Sequence, residues 1–338
     1  MQPGDRVAIV SPSWAGPGIF PEVHERGMKV VRDELGLVPV EYPTTRMIGA
    51  SPEARAKDLM AAFADSTIRA VLATIGGSDQ ITVLPYLDPE VVIANPKPFF
   101  GYSDNTNLLN WLWTNGVVGY HGGSTMVHLV RPGGLHPVTM ESLRRALFSN
   151  DTYEVRPVDE FTDLHADWSD LRTLDAPLAT TPETAWRWHD ATSRITGPTW
   201  GGNLEILHWN LAANRWIRPN EEYAGCVLML ETSEDMPSAD EVFRMLRNVG
   251  ERGLLEQFPA IVYAKPKAWN REQPLAAPER ERFREAHYDA VLRAVEAYNP
   301  HAVVLCGPDF GHTDPQYVIP YGGLVTVDGP NRTFSVNY

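Results

Sequence analysis

Residues 98–112 read PFFGYSDNTNLLNWL. Two phenylalanines run into Gly101, a short polar turn follows, and Leu108, Leu109, Trp111 and Leu112 then recur at helical spacing. An apolar run that passes through glycine into a helix marks a strand ending in a tight turn. The same alternation surrounds it. Val7–Val10, Val38–Tyr42 and Ala70–Ile75 read as further strands, and Pro21–Leu35 and Pro52–Ala64 as helices, with a helical pattern also expected after Ile75. Strand–helix alternation at this spacing predicts a mostly parallel sheet covered by helices, the α/β class. In such sheets ligands bind beyond the carboxyl ends of the strands.

The texture changes between Asn150 and Pro198, an acidic, proline-dotted stretch expected to be a linker or excursion. Beyond it, Cys226–Glu231, Ala260–Tyr263 and Ala302–Leu305 read as strands, Asp240–Val249 and Ala277–Ala297 as helices, and Tyr321–Val336 as a closing hairpin. Two domains are therefore expected, 1–165 and 166–338, the second smaller and mixed α/β. The chain of 338 residues, 43% hydrophobic and 21% charged, is long enough to bury both cores. A net charge of −14 argues against nucleic acid as a partner, because phosphate binding needs clustered Lys and Arg. No apolar run approaches the roughly 18 residues of a membrane span. The first residues lack signal-peptide features, so the expected location is the cytoplasm. Cys226 and Cys306 lie in apolar runs and are expected as reduced, buried thiols.

Three serines stand close after glycine beside a strand end: Ser78, Ser103 and Ser124. None completes G-x-S-x-G. Ser103 fits a nucleophile best, because the strand–turn–helix setting lifts its side chain above the sheet and brings helix N–H groups near its oxygen. Helix capping by Ser103 or Asp104 explains the same residues locally. Gly76 and Gly77 allow close backbone approach to a ligand, or simply a tight turn. A serine needs a base, and the base an orienting acid. His312 follows a buried strand in a Gly/Pro-rich loop, and Glu231 ends the apolar run CVLML, where a charge is costly unless paired. Position alone leaves other His and Glu pairings open. No H-E-x-x-H or Cys/His cluster points to a metal, and no cofactor is expected.

These stretches resemble the LD-carboxypeptidase family of serine peptidases, especially its microcin C self-immunity (MccF-like) branch. The resemblance is carried by PGDRVAIVSPSW, ATIGGSDQITVLPYLD, FFGYSDNTNLLNWL, GYHGGSTM, TWGGNLEIL, VLMLETSEDMPSADEVFRML and GPDFGHTDPQYVIPYGG. It implies a Rossmann-like N-terminal domain, a smaller C-terminal domain and a homodimer. It implies Ser103 as nucleophile, Glu231 as acid and His312 as base, with the N–H groups of Gly77 and Asp104 as oxyanion donors. Among six tryptophans between 168 and 216, Trp168 is the best match for a residue that stacks on a nucleobase and Trp186 the second, with a core or dimer-interface role as the alternative. Asn203, with helix N-capping as its alternative role, and Glu272, for a substrate amino group, are the further substrate-contact candidates. The expected substrate is a small peptide or aminoacyl-nucleotide. A murein tetrapeptide is the alternative, and a non-catalytic sequestering protein the alternative of another class. Ser78 stands where relatives often carry an acidic residue, and YHGGSTM departs from the commoner H-G-P wording.

Overall fold

Strand β1 (Arg6–Val10) is buried at four of its five residues, so it reads as an unbroken apolar run rather than an alternating one. The computed structural model describes residues 1–338. β1 is followed by α1 (Gly16–Ile19), α2 (Pro21–Asp33), β2 (Val38–Glu41), α3 (Pro52–Ala64), β3 (Ile68–Ala73), α4 (Pro89–Ala94), β4 (Phe99–Gly101), α5 (Thr106–Thr114), β5 (Gly119–His121) and α6 (Pro137–Phe148). Four of these helices begin on proline, whose missing N–H is one the first turn leaves unpaired anyway. The strands pair in parallel in the order β5-β4-β3-β1-β2. That order reverses direction between β1 and β3, so the crevice beyond their carboxyl ends is the expected ligand position. The helix expected directly after Ile75 is instead a pair of 3₁₀ turns, Gln80–Thr82 and Leu84–Tyr86, ahead of α4. Pro85 and Pro89 remove the N–H groups a continuous helix would need there.

The expected single boundary at 165/166 gives way to interleaving. One unit comprises Met1–Asn150 with His165–Leu178, and the other Asp151–Leu164 with Ala179–Tyr338. The second unit, expected to be the smaller, is of nearly equal size. Much of the expected linker is structured: it supplies β6 (Thr152–Val155), β7 (Glu160–Phe161), β8 (Thr181–Pro182), β9 (Arg187–His189) and the start of β10 (Arg194–Asn203). Buried charge fixes part of it. Asp163, fully buried, takes Arg284 and accepts from the Ala268 N–H at 2.9 Å, and Lys265 lies 3.8 Å from the centre of the Phe161 ring between Glu183 and Asp309.

The rest of this unit is α7 (Leu204–Ala213), β11 (Val227–Glu231), α8 (Ala239–Glu251), β12 (Ala260–Tyr263), α9 (Ala277–Tyr298), β13 (Val303–Cys306), β14 (Ile319–Tyr321), β15 (Leu324–Asp328) and β16 (Thr333–Asn337). Its eight-stranded sheet runs β6-β16-β15-β10-β11-β12-β13-β9. The centre, β10 to β13, is parallel, and the flanks are antiparallel. Strand β10 changes partner midway: Arg194–Pro198 pairs with β15 and Thr199–Asn203 with β11. At the crossover a Cβ on Gly201 would sit 1.9 Å from the Met229 carbonyl oxygen, and φ is +140°, so only glycine fits. Both cysteines are free and buried. No helix is long and apolar enough to cross a membrane.

Candidate active site

In the first unit the chain leaves β4 through Gly101 and turns sharply at Ser103, whose φ of +61° lies in the left-handed region. A non-glycine residue held there is strained and persists only where its surroundings enforce it. The enforcement is a buried polar network. Asp104, 1% exposed, accepts from the Ser13 hydroxyl, from the Gln80 N–H at 3.0 Å and from the Asn107 amide at 2.8 Å. Asn105 donates to the carbonyls of Ile75 and Tyr102, both at 3.1 Å, and accepts from the Gln80 amide at 2.8 Å. Burial pushes the Asp104 carboxyl above the usual range despite these donors. Neither the turn at Ser103 nor α5 carries a side-chain cap, so local capping does not account for these residues.

Gly76 packs against this turn: a Cβ there would lie 2.9 Å from Ser103 Cβ and 3.1 Å from its Oγ. The Gly77 N–H donates to none of the chain's own carbonyls. Beside it opens a cleft of about 420 Å³, lined by Ser13 and Trp14 after β1 and by Gly77 and Ser78 after β3, which is the switch point of the sheet. Ser124 is buried and donates to the Thr74 carbonyl at 2.7 Å, a structural role.

In the second unit Glu231 ends β11 fully buried, and register sets Asn203 of β10 directly beside it. Asn203 caps α7, its Oδ1 accepting from the Ile206 N–H at 3.0 Å. The loop after β13 lays His312 onto Glu231. Gly311 permits this, since a Cβ there would meet Glu231 Cβ at 3.0 Å. Gln316 holds the loop through the Gly311 carbonyl at 2.9 Å, and Lys267 reaches the His312 carbonyl at 3.4 Å. His312 Nδ1 stands 2.5 Å from Glu231 Oε2, and Nε2 stands 3.1 Å from Glu234 Oε2. Burial disfavours a charged ring, but Glu231, Glu234 and the farther Glu205 outweigh it and raise His312 to about 9. Glu205, in the first turn of α7, accepts at Oε1 from the Ser233 N–H (2.9 Å) and hydroxyl (2.7 Å). Burial, then the charge of Glu231, raises its carboxyl to about 7.

Sequence reasoning did not single out Glu205 or Glu234. The available signal was a second carboxylate in G-G-N-L-E and a third three residues after Glu231. The tryptophan group disperses. Trp168 packs edge-on to Phe20, ring centres 5.5 Å apart, against the Val23–Met126 cluster of the first unit. Trp200 is buried on Tyr223 and Phe258 in the second, while Trp209 lies half-exposed on α7. Glu272 is exposed in the loop before α9. No group of three or more His, Cys, Asp or Glu side chains is arranged to hold a metal ion.

The strained serine turn lies in the first unit, and the buried Glu–His contact, between the end of β11 and the loop after β13, in the second. Residues 7–122 match the LD-carboxypeptidase N-terminal domain and residues 196–327 its C-terminal domain, so the chain belongs to the LD-carboxypeptidase family. It is 25% identical to a Vibrio cholerae protein designated a carboxypeptidase, over 98% of this chain and 95% of that one. It is 24% identical to the Escherichia coli microcin C7 self-immunity protein MccF, over 83% of this chain and 77% of that one. MccF in complex with aspartyl sulfamoyl adenosine superposes with a TM-score of 0.82 at 21% identity, covering 100% of this chain and 97% of that one. The MccF-like protein of Streptococcus pneumoniae in complex with AMP superposes at 0.87 and 22% identity, over 99% of both chains. The fold is that of MccF.

Proposed function

We propose that this chain is a serine peptidase that hydrolyses the amide or acyl bond of a peptidyl- or aminoacyl-nucleotide. The observation that carries the reading is the 2.5 Å contact between His312 Nδ1 and buried Glu231, an acid–base pair prepared for a nucleophile. Ser103, strained at φ +61° in the turn after β4, is the nucleophile. Its Oγ attacks the carbonyl carbon as His312 takes the proton at Nε2, and Glu231 holds the resulting imidazolium. The N–H groups of Gly77 and Asp104 receive the oxyanion. His312 then returns the proton to the leaving group, an acyl-enzyme forms at Ser103, and water activated by His312 releases the acid and restores the serine. Asn203 and Glu272 are proposed substrate contacts, and the open side of Trp168 a stacking surface for the base. The nucleotide end of the substrate is supported by the ligands named for MccF and the pneumococcal protein.

One observation favours a murein tetrapeptide instead. Trp168 packs edge-on to Phe20 and against the apolar cluster of its unit, which leaves less ring for stacking. An aspartyl-adenylate analogue and a murein tetrapeptide assayed side by side decide between them. Preference for the nucleotide, abolished by S103A, is the expected result. Preference for the tetrapeptide transfers the same triad to the other substrate. Turnover surviving in S103A refutes the triad, and tight binding of the analogue without hydrolysis supports sequestration.

A further inference from the structure

His312 faces carboxylates at both ring nitrogens: Glu231 at Nδ1 (2.5 Å) and Glu234 at Nε2 (3.1 Å). A neutral imidazole has one donor and one acceptor nitrogen, so two carboxylate contacts require both nitrogens to carry protons. In that state the ring has no lone pair with which to accept the serine proton. Nε2, the nitrogen the proposed mechanism needs, is the one Glu234 occupies. The two carboxylates differ in kind. Glu231 is fully buried at a strand end, whereas the Glu234 side chain is 55% exposed in the turn after it, able to leave without unpacking anything. Glu205 from α7 adds its charge to that around the ring, and the Lys267 ammonium reaches the backbone carbonyls of His312 and Asp163. Asp314 lies on the same loop and acts on Lys267. The balance around the ring is therefore negative. Taking the proton from His312 leaves Glu205, Glu231 and Glu234 short of a counter-charge.

We propose that Glu234 is a latch on His312 Nε2, and that a substrate bearing a cationic group beside the scissile bond, such as a free α-ammonium, opens the latch by drawing the Glu234 carboxylate onto itself. This rests on the triad reading above and adds a substrate requirement to it. Glu234 acts through His312 and is a positioning residue.

The test uses the full chain in wild-type, E234Q, E234A and S103A forms. The substrates are an aspartyl-adenosine phosphoramidate and its Nα-acetyl derivative, with kcat/KM measured across pH. The wild type should favour the free amine by about tenfold or more, the factor that accompanies one pH unit of base availability. E234Q and E234A should bring that ratio near one by raising kcat on the acetylated substrate. They should also move the acid limb of the profile down by about one pH unit. In parallel, ¹H–¹⁵N NMR of the His312 ring follows its titration in the resting protein without any turnover. Its midpoint should fall by about one pH unit in both variants. A midpoint unchanged in both, or an amine preference that survives both, overturns the latch. Turnover surviving in S103A with the midpoint still lowered sinks the triad and leaves the Glu234–His312 latch standing.

Discussion

Replacing His312 with alanine should cost stability in a way that depends on pH, and the dependence follows from the charges around the ring. The folded ring holds its second proton to about pH 9, against 6.5 for an ordinary histidine. A pKa raised on folding contributes stability that is complete below pH 6.5 and is lost as pH rises through about 9. At roughly 1.4 kcal/mol per pH unit the interval amounts to about 3 kcal/mol. The side chain is only 7% exposed, so solvent screening takes little from that figure. H312A also leaves Glu231 buried without its cation, a loss of about 3–5 kcal/mol for a broken buried pair. Urea denaturation followed by tryptophan fluorescence at pH 6 and pH 10 measures the difference between wild type and variant. It should exceed about 3 kcal/mol at pH 6 and shrink by about that amount at pH 10. E231Q in the H312A background should recover part of the pH 6 loss, because it removes the stranded charge. A difference that stays constant from pH 6 to pH 10 would refute the protonated, doubly paired histidine.

Two glycines give sharper local tests. G76A inserts a methyl group 2.9 Å from Ser103 Cβ, so kcat should fall by about 10²-fold with near-native circular dichroism, since a displacement of about 1 Å at a reacting group is enough for that loss. G201A meets the Met229 carbonyl at 1.9 Å with φ at +140°. It should destabilise the chain by about 3 kcal/mol or more, seen as a large drop in Tm or loss of soluble protein.

The parallel core was legible because its strands are buried on both faces, so Val7–Val10 and Cys226–Glu231 stand out as apolar runs with hard ends. Glu231 was legible for the same reason, being the charge at the end of such a run. The turn at Ser103 could be placed, but its left-handed φ could not, since Ser13 and Gln80 hold Asp104 and Asn105 from distant parts of the chain. Glu205 and Glu234 had only their closeness to the motifs as a signal, because their meaning lies in the charge they add around one imidazole from a helix and a turn. The interleaving of 151–178 was missed because short, polar strands such as β7 and β8 give no periodicity. Their anchors are single buried charges, Asp163 and Glu183. The tryptophans, close in sequence, divide between two cores, a separation their spacing does not reveal.

The central claim is that Ser103 attacks the substrate with Glu231-held His312 as its base, and covalent trapping tests it most directly. The full chain is incubated with a fluorophosphonate probe and examined by intact mass and peptide mapping, beside S103A and H312A. One adduct on Ser103, absent in S103A and slowed by orders of magnitude in H312A, is the expected result. Labelling at another residue, or an unlabelled enzyme that still turns over an aminoacyl-nucleotide, would contradict it.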